Sequence, residues 1–121
     1  MFSLSGAVRV FVYSGECDMR SSFERLTGLT KNVIKQEPYS GHLFLFLSRN
    51  RRSVKILYFD GTGYCIWYKK LEAGTFSKPE REEIDFRTLR CVLEGIEERN
   101  IKRKKRYFIG KSEDNVQTLK M

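Results

Sequence analysis

Three carboxylates, Asp18, Asp60 and Glu94, are the set from which metal-ion catalysis could be assembled. Three acidic side chains around divalent cations can activate a water and stabilise a leaving oxygen. Their local contexts supply other roles. Asp18 stands where a helix N-cap is needed, and Asp60 opens the reversal Asp60-Gly61-Thr62-Gly63. Glu94 sits at a helix end, solvated, before a glycine. The two glycines of that reversal are not followed by Lys-Ser or Lys-Thr, so they read as hairpin geometry and not as a phosphate loop. His42, the one histidine, is the sole candidate proton shuttle, but no nucleophile-base order surrounds it. The expectation is a structural imidazole bonded to a backbone carbonyl. The reading is therefore of a non-enzyme with no catalytic residue, metal ligand or cofactor.

The basic residues offer better chemistry. Arg49, Arg51, Arg52 and Lys55 crowd one strand connection, where several guanidinium groups can straddle phosphates. Lys69 and Lys70 end the return strand of the following hairpin, and Lys55 is expected opposite Lys69, gathering these cations at one end of the sheet. A second block, Lys102-Arg103-Lys104-Lys105-Arg106, carries five like charges in a row. Such blocks are usually extended and often contact a polyanion. The chain has a net charge of +8, and residues 97–121 hold eight basic against four acidic side chains. That balance favours nucleic acid as a partner, with a merely solubilising basic edge as the alternative. Tyr58, Tyr64, Trp67 and Tyr68 suit base stacking, or else a core or protein interface.

The elements that must position these residues follow from periodicity. Val8–Tyr13 is β-branched and aromatic and reads as a strand. A helix is expected from Arg20 to about Gln36, capped by Asp18, with Met19, Phe23, Leu26, Thr30 and Val33 as its apolar stripe. Gly28 within it suggests a close neighbour. His42–Ser48 alternates Leu with Phe, apolar on both faces, and is expected to be central. Val54–Phe59 and Tyr64–Leu71 form a hairpin. Thr75-Phe76 is a candidate short edge, and Pro79–Glu83 a polar connection. Asp85 caps a last helix whose stripe is Phe86, Leu89, Val92, Leu93 and Ile96, with Gly95 at its end. The order β-α-β-β-β-α gives an α+β fold, an antiparallel sheet of four to five strands with both helices on one face and a basic C-terminal tail. Residues 1–96 form one domain and 97–121 a basic extension.

The chain's 121 residues suffice for one modest core. Nothing in it approaches a membrane-spanning apolar run, and Met1-Phe2-Ser3-Leu4 lacks the basic leader and apolar stretch of a secretory signal. Cys17, Cys65 and Cys91 make an odd count without a C-x-x-C pair. Reduced thiols in a cytoplasm are the expectation, without membrane association.

Several words occur in an order that resembles a known family. They are Val8-Arg9-Val10, Asp18-Met19-Arg20 with Phe23, Ser40-Gly41-His42-Leu43-Phe44, and Lys55-Ile56-Leu57-Tyr58-Phe59-Asp60-Gly61. Tyr68-Lys69-Lys70-Leu71-Glu72 and Leu93-Glu94-Gly95-Ile96 follow. Together they resemble the TnpB-type accessory protein, the second open reading frame, of the insertion-sequence-sixty-six family of bacterial transposable elements. The resemblance spans about residues 7–96. It implies a protein that assists a transposase, through contact with DNA at the element ends, with the transposase, or with another accessory subunit. The leading expectation is DNA binding through the basic residues named above; the alternative is an adaptor that docks on the transposase without touching DNA. The tail departs from the family pattern, so no role resting on it is carried over.

Overall fold

The structure is a computed structural model and describes residues 8–95. Five strands, β1 (Val10–Val12), β2 (Leu43–Leu47), β3 (Ser53–Phe59), β4 (Tyr64–Lys70) and β5 (Glu83–Ile84), form one sheet in the order β4-β3-β2-β1-β5. Two α-helices accompany it, α1 (Phe23–Leu29) and α2 (Phe86–Leu93). The fold is α+β, with β2 central, as its two apolar faces require.

The sheet is mixed, which corrects the expectation of an antiparallel one. β1 runs parallel to β2, pairing Val10 with Leu43 and Val12 with Leu45. About thirty residues, including α1, lie between these strands. That is the length of a crossover rather than of a hairpin, and a crossover returns the chain in the same direction. The β2–β3, β3–β4 and β1–β5 pairs are antiparallel. The fifth strand is Glu83–Ile84, not Thr75-Phe76. Phe76 is instead a buried plug whose N–H donates to the Arg51 carbonyl.

The helices lie on opposite faces, a second correction. Val10, Val12, Leu43, Leu45, Leu47, Val54, Ile56 and Tyr58 project to one side, where Phe76, Ile84, Leu89 and Val92 complete the cluster under α2. Phe11, Phe44, Phe46 and Leu57 project to the other, against Leu26 of α1 and Cys17. All five β2 residues are buried, and strands buried on both faces need cover on both.

Locally, α2 forms as its sequence dictates. The Asp85 carboxylate accepts from the Thr88 N–H at 2.8 Å, and Gly95 takes a left-handed φ of 76° after the last turn. At the other helix Asp18 is not the cap. Its Oδ1 accepts from the Arg20 N–H in a tight turn, and α1 starts only at Phe23. A π turn, Thr30–Ile34, continues α1, and the buried Thr30 hydroxyl donates to the Leu26 carbonyl at 2.8 Å. The open space beside Gly28 shows that no close neighbour requires a glycine there. Phe23, expected in the core, is 44% exposed.

Candidate nucleic-acid interface

The connection between β2 and β3 carries Arg49, Arg51 and Arg52, and it is locked rather than loose. The Ser48 hydroxyl donates to Asn50 Oδ1 at 2.9 Å and accepts from the Ser53 N–H at 3.0 Å. Asn50 Oδ1 also accepts from the Arg52 N–H. The Arg51 N–H donates to the Ser48 carbonyl, and the Arg51 carbonyl accepts from Phe76. Arg51 itself has φ 60°, a left-handed conformation that disfavours a side chain with a Cβ. Short polar side chains thus fix the backbone from which three guanidinium groups project.

Those three groups have different surroundings. Arg49 faces Glu16 at 3.8 Å, an exposed pair that contributes little. One Arg52 nitrogen donates to the Glu72 carbonyl at 3.0 Å, leaving its other donors open. Arg51 lines an open cleft of about 420 Å³ together with Val12, Ser14, Lys78, Pro79, Glu80, Arg81 and Glu82. The cleft lies beside the end of β1. Lys78 is held by the Ser14 and Gly15 carbonyls. Arg51 and Arg81 have no ion-pair partner among the described residues. Sequence reading missed Lys78 and Arg81, because Lys78-Pro79-Glu80-Arg81 reads as a mixed-charge linker; only the fold of 77–82 over the end of β1 brings them to Arg51.

The lysines separate. Ladder register pairs Lys55 with Tyr68 and Lys69 with Val54, so Lys55 does not lie opposite Lys69, and the two emerge on different faces. Lys55 is buried, and its ammonium donates to the Met19 and Ser21 carbonyls at 2.8 and 2.7 Å. Its sequence role as a surface cation is replaced by a structural one, tying β3 to the approach to α1. Lys69 donates to the Leu93 carbonyl at 3.0 Å, at the end of α2, where a cation suits the helix dipole. Lys70 is exposed at the end of β4, its Cα partner being Ser53 beside the arginine connection. Lys102, Arg103, Lys104, Lys105 and Arg106 lie outside the described residues, as does the expected boundary at 96.

The candidate catalytic groups are structural neighbours of their own loops. Asp60 Oδ1 accepts from the Thr62 and Gly63 N–H groups and the Thr62 hydroxyl; these bonds lower its carboxyl to about 2. Arg20 binds Asp18 at 2.6 Å and holds it at about 2 as well. No group of three or more His, Cys, Asp or Glu side chains stands together as a metal-binding set among the described residues. His42 Nδ1 accepts the Arg9 N–H at 3.0 Å, so the imidazole bonds the backbone as an acceptor and not, as expected, to a carbonyl. Partial burial and then the Arg9 charge lower its pKa, while Glu83 opposes them. All three cysteines are free. Among the described residues no helix is long and apolar enough to cross a membrane.

Comparison with known proteins agrees with the resemblance read from the sequence words. The family model described as IS66 Orf2 like protein matches residues 8–103. The Uncharacterized protein y4hO of Sinorhizobium fredii (strain NBRC 101917 / NGR234) is 35% identical over 97 residues, 77% of this chain and 84% of that protein. The Uncharacterized protein y4jC of the same organism is 29% identical over 79 residues, 65% of this chain and 68% of that protein. No solved structure matches. The chain belongs to the IS66 Orf2-like family, which points to an accessory role in transposition of an insertion sequence.

Proposed function

We propose that this member of the IS66 Orf2-like family is a non-catalytic accessory protein that grips the phosphate backbone of DNA, at the element ends, during transposition. Arg49, Arg51 and Arg52 on the locked β2–β3 connection are the main contacts. Lys70 and Arg81 extend them, and residues 102–106 add five further cations. The observation that carries the reading is Arg51. Its backbone is kept in a disfavoured conformation between hydrogen bonds to Ser48 and Phe76, and it lines a cleft with Arg81 without an ion-pair partner among the described residues. Strain retained where the surroundings over-determine it is commonly found at binding sites. Glu80 and Glu82 also line the cleft, and they favour a backbone held along its basic side over one buried within it.

The experiment is a gel-shift of the full chain with element-end and random DNA over a salt series. Binding should weaken steeply, each neutralised phosphate adding about 0.9 to the log–log slope. Absence of binding at low salt, or indifference to salt, transfers the role to the adaptor reading, in which the protein docks on the transposase without DNA contact.

A further inference from the structure

We propose that β4 pairs antiparallel with β4 of a second copy, across a two-fold axis at Trp67, to make one continuous ten-stranded sheet. This goes beyond the DNA-binding reading and does not depend on it.

The two edges of the sheet are treated differently. β5 is two residues long, and a very short edge strand offers little to pair with. β4 is seven residues long and pairs with β3 without interruption from Tyr64 to Lys70. It has no proline and no bulge, its lysines sit only at its C-terminal end, and its outer side has no partner strand among the described residues. It also displays Tyr64, Trp67 and Tyr68, which are 36%, 39% and 51% exposed.

Ladder geometry fixes which backbone groups are free. The Leu71 N–H donates to the Arg52 carbonyl, and the Gly63 carbonyl accepts from Asp60. Odd-numbered residues of β4 therefore face β3, and Tyr64, Ile66, Tyr68 and Lys70 turn their N–H and C=O outward. A two-fold at Trp67 sets Tyr64 opposite Lys70 and Ile66 opposite Tyr68, so each outward group meets another outward group along the full strand. Lys69 then faces Cys65, and no like charges oppose one another. Trp67 meets its own copy in a non-hydrogen-bonded pair, the closer kind, where aromatic pairs contribute most. An axis at Tyr68 or Ile66 leaves Tyr64 or Lys70 without a partner inside the strand, and an axis at Lys69 or Lys70 shortens the ladder further and sets that lysine against its own copy. Self-complementarity of sequence, charge and hydrogen bonding in one register is what selects a second copy as the occupant.

Sedimentation equilibrium of the full chain, from low micromolar to submillimolar concentration, should give a reversible dimer and nothing larger. Trp67→Lys places two ammonium groups face to face on the axis and should raise the dissociation constant by at least about tenfold. Tyr68→Pro deletes an outward N–H while sparing the bonds to β3, and should do the same; its melting curve checks that the monomer is folded. Trp67→Cys should form an intermolecular disulfide under mild oxidation that the natural chain does not form. A monomer at every concentration overturns the proposal and leaves this edge to residues 96–121 or to another protein. Dimerisation unchanged in Trp67→Lys and Tyr68→Pro overturns it as well.

Discussion

The Lys55 ammonium lies 4.9 Å from the centre of the Tyr68 ring, and the same ammonium holds the carbonyls of Met19 and Ser21. One buried cation thus joins the edge strand, its neighbour and the segment leading into α1. In Lys55→Met both carbonyls lose their donor while the apolar stem is kept. The expected loss is about 1–3 kcal/mol of stability by urea unfolding. DNA affinity of the folded fraction should be unchanged, because this ammonium is already occupied. A fall in affinity without a fall in stability would return Lys55 to the phosphate-binding set.

The two apolar clusters give a contrast that isolates the core. Leu45 is fully buried in the centre of β2, and Leu45→Ala should cost about 2–5 kcal/mol. Phe23 begins α1 and is 44% exposed, so Phe23→Ala should cost well under half as much. Equal losses in denaturant unfolding would mean that Phe23 is covered in solution.

How far the sequence was readable can be judged from such residues. The alternation of Leu and Phe in β2, the Asp60 turn and the Asp85 cap are local patterns, and each forms as its pattern dictates. The side each helix covers is a property of the connections. Double-sided burial of β2 already required cover on both faces, but hairpin signals elsewhere suggested a wholly antiparallel sheet. Phe23 fits a helical stripe, yet it is the first residue of α1 and is left 44% exposed, outside both core clusters. Arg49, Arg51 and Arg52 were legible as a basic connection. Lys55 was not legible as buried, since a one-residue error in ladder register exchanges the two faces of a strand. Arg81 comes near Arg51 only through tertiary folding.

His42 gives a pH dependence near neutrality. Its folded pKa is depressed below the ordinary value of 6.5, since partial burial and the Arg9 charge disfavour the imidazolium. The unfolded chain then binds a proton first as pH falls. Stability is fully present above about 6.5 and declines below it, until the folded form protonates too. Arg9, Glu83 and the Phe11 ring surround the imidazole, and Glu83 opposes the shift without reversing it. Asp18 and Asp60 act in a separate window, contributing stability above 3.8 that is lost as pH falls toward about 2. Urea midpoints between pH 8 and 5 should therefore drop on the acid side, and His42→Asn, which keeps an acceptor, should flatten the drop. A flat profile for the natural chain excludes the Arg9–His42 bond as a pH-sensitive tie.

Arg51 separates binding from folding most directly. Its left-handed backbone disfavours any L side chain by roughly 1–2 kcal/mol, partly offset in a glycine variant by the greater freedom of the unfolded chain. Arg51→Gly should therefore leave stability unchanged or raise it by up to about 1 kcal/mol. It also removes one phosphate contact, so DNA affinity should fall and the log–log salt slope decrease by about 0.9. Reversing the charge at both Arg51 and Arg52 acts on a fixed connection and should harm binding to element ends more than to random DNA. Deleting residues 102–106 removes five adjacent cations and should weaken both alike. These variants are to be compared by gel-shift across the same salt series, with unfolding curves alongside. If Arg51→Gly binds as tightly as the natural chain with the same slope, the β2–β3 connection is not where phosphate is held. If the double reversal leaves the preference for element ends untouched, selectivity resides elsewhere in the molecule.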